Sequence, residues 1–223
     1  MNTIRWTAAA WMAAGIMFVL YPATRPFSDE VSLEGAAAFA SGAWIVSHML
    51  AVLAFLFTVL GLLGFYMASR GTKQEGAAFR IVLCFWIGTG LLLPYYGMEM
   101  FGLYALGQEA LSQQSDALIS LANEMRFGPG IVPFLLGFVL LAVGAVYVSV
   151  VLWRSRRGLS KWGGLMFALG LILYLPQFFG NQPIRVAHGA LVAVGCLWLA
   201  LDLWRHSSVS RMAAERRQQP LTS

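Results

Sequence analysis

Residues 79–107 read FRIVLCFWIGTGLLLPYYGMEMFGLYALG, an apolar run that carries a single acid, Glu99. About 20 residues at 1.5 Å each cross a hydrocarbon core, so this run is long enough to span a bilayer with some tilt. An ionisable side chain at such depth costs roughly 3 kcal/mol or more unless it is paired, solvated or protonated. The segment PYYGME at 94–99 is therefore the first place to look for a functional site.

Working outward, five further apolar runs occupy residues 6–21, 43–69, 131–153, 162–179 and 184–204. The long period-two tracts that a membrane barrel needs are absent. The pattern predicts an all-α integral membrane protein, a six-transmembrane-helix bundle forming a single domain over residues 1–205. A basic tail at 206–223 is expected to be disordered and to rest on anionic headgroups. The first run follows Arg5 as a signal peptide would, but Tyr21-Pro22 is a poor cleavage context, so a retained helix is expected.

Composition agrees. The 223 residues are 59% hydrophobic and 11% charged, with a mean hydropathy of +0.69. Soluble domains carry about a quarter charged residues. The net charge of +5 does not point to nucleic acid, because the basic residues sit in short connections between apolar runs rather than on one face. Cys84 and Cys196 lie inside apolar runs without metal-ligand spacing and read as packing residues.

Charge asymmetry sets an orientation. Of the 15 Lys and Arg residues, all but Arg25, Arg126 and Arg185 fall on one side if the spans alternate. The positive-inside rule makes that side cytoplasmic, placing both termini inside and the protein in the cell membrane. Two longer connections then lie outside, 23–42 and 108–130. In the second, Leu111, Leu118, Ala122 and Met125 recur near helical spacing, while Gln114, Asp116, Ser120 and Glu124 take the other side. This predicts a short amphipathic helix on the outer face, between the third and fourth spans, serving as a connector or a lid.

Depth arithmetic gathers a constellation. Counting from the inner anchor Arg80, Glu99 lies ~28 Å up. By the same count His48 and His188 reach the outer third of a core ~30 Å thick. Helical spacing adds Trp44 to the face of His48, Tyr95 to the face of Glu99, and Arg185 to the same first turn as His188. Tyr96, Phe101, Gln177, Phe178 and Asn181 belong to the same layer. The inner half is greasy on every helix, which disfavours a transport path through the bilayer.

Three chemistries suit this layer. In the first, Glu99, His48 and His188 perform acid/base catalysis on a lipophilic substrate, with Glu99 protonated as general acid and the aromatic residues lining a cavity. Isomerisation or proton-initiated cyclisation of an isoprenoid is the concrete form, by chemical analogy with membrane terpene cyclases. In the second, His48 and His188 are axial ligands of a b-type haem, with a quinone as electron partner. In the third, His48, Glu99 and His188 hold a divalent metal ion. A non-catalytic structural or accessory protein is the remaining alternative. The lipid bilayer and a lipophilic small molecule are the expected partners.

Overall fold

The computed structural model describes residues 3–155 and 160–218, with side chains placed for 3–155 and 161–205. The described residues contain no strand. The helices are α1 (Thr3–Thr24), α2 (Leu33–Phe39), α3 (Gly42–Ser69), α4 (Glu75–Gly97), α5 (Leu103–Gln113), α6 (Asp116–Phe127), α7 (Ile131–Arg154), α8 (Ser160–Ile172) and α9 (Gln182–Gln218). A π-helical turn (Met98–Gly102) joins α4 to α5, and a 3-10 turn (Pro176–Phe179) precedes α9.

Five helices have the length and composition to cross a membrane: Thr3–Thr24, Gly42–Ser69, Glu75–Gln113, Ile131–Arg154 and Gln182–Arg205. The run at 162–179, expected from sequence as the fifth span, is not one helix long enough to be counted among them. Its helix stops at Ile172, and Pro176, which has no N–H to donate, opens the 3-10 turn. The third run also runs on past residue 107, because α4, the π turn and α5 make one helix of 39 residues. Helix α9 continues through 206–218, where the sequence predicts a disordered tail; residues 219–223 lie outside the described part.

The bundle closes on itself. α1 packs between α3 and α9, α3 against α4, α4 against α7, and α8 between α7 and α9. Small residues let backbones approach, as they do in membrane helix pairs. A Cβ on Gly88 would lie 2.9 Å from the carbonyl oxygen of Gly137, and one on Gly137 would lie 2.8 Å from that of Gly88. The core between the helices is aromatic: Phe18, Phe55, Phe138 and Tyr174 are all buried, and Phe138 stacks on Tyr174 with centroids 4.8 Å apart.

At one end a second, smaller core forms a cap. Ala36 and Phe39 of α2, Trp44 of α3, Leu103 and Ala110 of α5, and Ile119 and Ala122 of α6 are buried together. Ser32 starts α2 by accepting from the N–H of Glu34, and Ser41 starts α3 by accepting from that of Trp44. Gly107 lets α2 lie directly on α5: a Cβ there would sit 2.6 Å from the Ala36 carbonyl oxygen.

A candidate acid/base site beneath the cap

Glu99 sits in the π turn. There the N–H of Leu103 bonds to the carbonyl of Met98, five residues back instead of four. The inserted residue deprives the Glu99 carbonyl of its usual partner, and Trp44 Nε1–H donates to that oxygen at 2.6 Å. Such one-residue π bulges recur at functional sites because they expose a carbonyl and re-aim a side chain. Here the re-aimed side chain is a carboxylate, buried to 8% exposure.

The cap supplies its counter-charge. Arg126, in the last turn of α6, donates from Nε to Glu99 Oε1 at 2.6 Å and from Nη2 to Oε2 at 3.0 Å. Its third edge reaches Glu30, with Nη1 2.6 Å from Oε2. The other oxygen of Glu30 accepts from Arg25 Nη2 at 2.6 Å. The result is an alternating ladder, Arg25–Glu30–Arg126–Glu99, in which a guanidinium fork grips Glu99 and Glu30 takes one bond from each of two arginines. A helix C-terminus carries partial negative charge, which also favours an arginine in the last turn of α6.

Local backbone geometry presents Glu30 to the ladder. Its φ of 56° lies in the left-handed region, uncommon for a residue with a side chain. Asp29 holds the turn by accepting from the N–H groups of Val31 and Ser32 at 3.1 and 3.2 Å. Gly35 leaves room for it, since a Cβ there would lie 2.6 Å from Glu30 Cα. Burial works to raise the Glu30 carboxyl, but Arg25 and Arg126 outweigh it and hold the group below its ordinary value. Burial likewise opposes the charge on Arg126, and Glu99 and Glu30 together more than offset that, leaving it more firmly protonated than a free arginine. Aromatic faces back both cations, Trp44 under Arg25 at 4.5 Å and Phe39 under Arg126 at 5.4 Å.

His48 completes the site from the second turn of α3. Its Nδ1 is 2.7 Å from the Trp44 carbonyl oxygen. A carbonyl only accepts, so Nδ1 carries the hydrogen, and a neutral ring then keeps its lone pair on Nε2. That lone pair faces Glu99 Oε2 at 3.9 Å, too far for a direct hydrogen bond. With the ring neutral, two acceptors thus face each other at that distance. Trp44, Tyr21 and Tyr96 wall the imidazole, with ring centroids 4.5, 5.7 and 6.4 Å away.

The remaining sequence candidates are placed as follows. Trp44 is central, as hydrogen-bond donor and ring platform. Tyr95 stacks on Phe134 at 3.9 Å, beside the site rather than in it. Phe101 points outward and is 58% exposed. His188 does not join Glu99 and His48: its Nε2 lies 2.7 Å from the Gly170 carbonyl oxygen of α8, and its ring meets Tyr174. Gln177 is buried in the 3-10 turn. Asn181 caps α9 by accepting from the N–H of Ile184 at 3.2 Å. Arg185 donates to the carbonyls of Gly180 and Phe178, and its guanidinium lies over the Phe178 ring.

Two expectations change accordingly. The described residues hold no group of three His, Cys, Asp or Glu side chains placed to hold a metal ion, because depth matches His188 to the other two while its helix face does not. For the haem arrangement, His188 presents its Nε2 to the Gly170 carbonyl rather than to an open ligand position. The residues that depth matching misses are Arg126, Glu30 and Arg25, which reach the layer from connections. A buried acid demands a cation, and charge asymmetry already sets Arg25, Arg126 and Arg185 apart from the other basic residues; that was the available signal. No known protein family, curated protein or solved structure matches this chain.

Proposed function

We propose that the chain is a multi-pass membrane enzyme in which His48 and Glu99 form an acid/base site for a lipophilic substrate. The observation that supports it best is the confrontation of two acceptors, His48 Nε2 and Glu99 Oε2, 3.9 Å apart beneath the cap. Such a gap is completed by a donor: a substrate hydroxyl, an acidic C–H, or a water. His48 takes that proton as general base and returns it to another atom of the substrate, which is an isomerisation. Glu99, its charge balanced by Arg126, stabilises the imidazolium formed in between. The roles expected from sequence are thereby exchanged, with the histidine leading and the acid orienting.

An isoprenoid-like lipid is the substrate class that fits the aromatic walls of Tyr21, Trp44 and Tyr96. Base-initiated isomerisation suits the site better than proton-initiated cyclisation, which needs a free acid. In this reading α8 and the 3-10 turn complete a sixth crossing. Both termini then face the cytoplasm of the cell membrane, and the cap with α6 lies on the outer side.

A second reading rests on the ladder itself. Its two carboxylates and two guanidinium groups are all paired, so the cluster could serve only to clamp the cap to the bundle in a structural or accessory protein. His48→Asn separates the two, because an asparagine amide can still donate toward the Trp44 carbonyl while removing the base. Untargeted lipid profiles of cell membranes containing wild type or H48N, made in equal folded amounts, provide the readout. The enzyme reading predicts a lipid species whose level changes with wild type and not with H48N. Identical profiles would overturn it in favour of the clamp.

A further inference from the structure

Three arginines stand at the capped end, and two of them are held in ion pairs. Arg25 and Arg126 are paired with Glu30 and Glu99. Arg185, in the first turn of α9, makes no ion pair among the described residues. One edge of its guanidinium is nevertheless fixed: Nε donates to the Gly180 carbonyl at 2.9 Å, and Nη2 to that of Phe178. Phe27 and Phe178 flank its plane at 4.9 and 5.9 Å. Phe27 also carries Arg25, at 5.4 Å, so a second cation stands behind the first. Nη1 has no hydrogen-bond partner among the described residues.

A guanidinium held on one edge and open on the other is preorganised for a bidentate oxyanion. The surface beside it indicates where that oxyanion comes from. Phe179 is 94% exposed, Ile184 53% and Phe27 39%, so exposed apolar side chains neighbour Arg185 at the end of a candidate span. In water such rings would be costly, whereas at a bilayer boundary they face acyl chains. We propose that Arg185, on its Phe27 and Phe178 shelf, binds the phosphate of a membrane phospholipid headgroup. The site is independent of the chemistry at His48.

The test uses full-length protein, stripped of lipid in detergent, with thermal unfolding as the readout. Phosphatidylglycerol is expected to raise the midpoint at micromolar concentrations, while diacylglycerol, which lacks the phosphate, is not. Arg185→Lys keeps the charge but not the fork, and is expected to fold and to need about tenfold more phosphatidylglycerol. Equal protection by diacylglycerol would overturn the proposal, as would an unchanged lipid requirement in R185K. Protection by millimolar inorganic phosphate equal to that by the lipid would also overturn it, by assigning the site to a soluble anion.

Discussion

The guanidinium of Arg126 grips both oxygens of Glu99, at 2.6 and 3.0 Å, from 27 residues further along the chain. One end of this pair belongs to a helix long enough to span a bilayer and the other to a cap helix, so it ties the two layers together. Removing one member of a buried pair leaves the other uncompensated, at a cost of about 3 kcal/mol or more. Arg126→Gln is therefore expected to lower the unfolding free energy in detergent by ~3 kcal/mol, and Glu99→Gln by a similar amount. The double variant should lose clearly less than the sum, since the second change removes a charge already stranded. Strict additivity in that cycle would show that the two side chains do not interact.

Acid should loosen the cap through Glu30. Its carboxyl is held below the ordinary value of 4.5 by Arg25 and Arg126 despite burial. A carboxyl with a depressed folded value contributes stability that is complete above the unfolded value and fades as pH falls through the folded one. Stability should thus be insensitive to Glu30 titration from neutrality down to about pH 5, then decline on further acidification. Glu30→Gln should be less stable at neutral pH and lose much of that acid-limb slope. Proteolysis within residues 23–42 as a function of pH reads the loosening directly.

Trp44 connects the cap, the π turn and the histidine. Its indole N–H fills the free carbonyl of Glu99, and its ring carries Arg25. Trp44→Phe retains an aromatic ring while leaving that buried carbonyl unsatisfied. A loss of about 1–3 kcal/mol in unfolding free energy is expected. A change of less than a few tenths would mean that the π turn does not depend on this bond.

Helix packing at the cap makes a separate prediction. Gly107→Ala would push a methyl group against the backbone of α2, 2.6 Å from the Ala36 carbonyl oxygen and 2.8 Å from the Ala40 nitrogen. Backbone does not yield as a side-chain tip does, so α2 must shift away from α5, at ~1–3 kcal/mol. Faster amide exchange confined to residues 33–40 would report the shift. Gly97→Ala, with nothing within 4 Å of the added methyl, serves as the neutral control.

The parts of this molecule that were legible in sequence were those governed by solvent. Apolar runs mark the long helices, and a lone acid in one of them marks the candidate site, because a hydrocarbon environment makes both conspicuous. Depth alone could not tell which face of its helix His188 occupies, and it turns to Gly170. Nor could hydropathy show that the run at 162–179 breaks at Pro176, since leucine and phenylalanine are equally apolar on either side of the break. Arg126 was visible only as a marker of orientation. Its pairing with Glu99 depends on how α6 folds back over the bundle, which is a tertiary relation. The π turn leaves no mark in the sequence beyond the glycines at 97 and 102.

The central claim is that His48 presents an unprotonated Nε2 to Glu99. Nitrogen-15 NMR of histidine-labelled protein in bilayers at neutral pH measures this directly, with assignment through His48→Asn and His188→Asn. His48 should appear as the neutral tautomer protonated at Nδ1, and His188 as the opposite tautomer, protonated at Nε2 toward the Gly170 carbonyl. A His48 ring protonated at Nε2, alone or together with Nδ1, would contradict the account, because no lone pair would then face the gap.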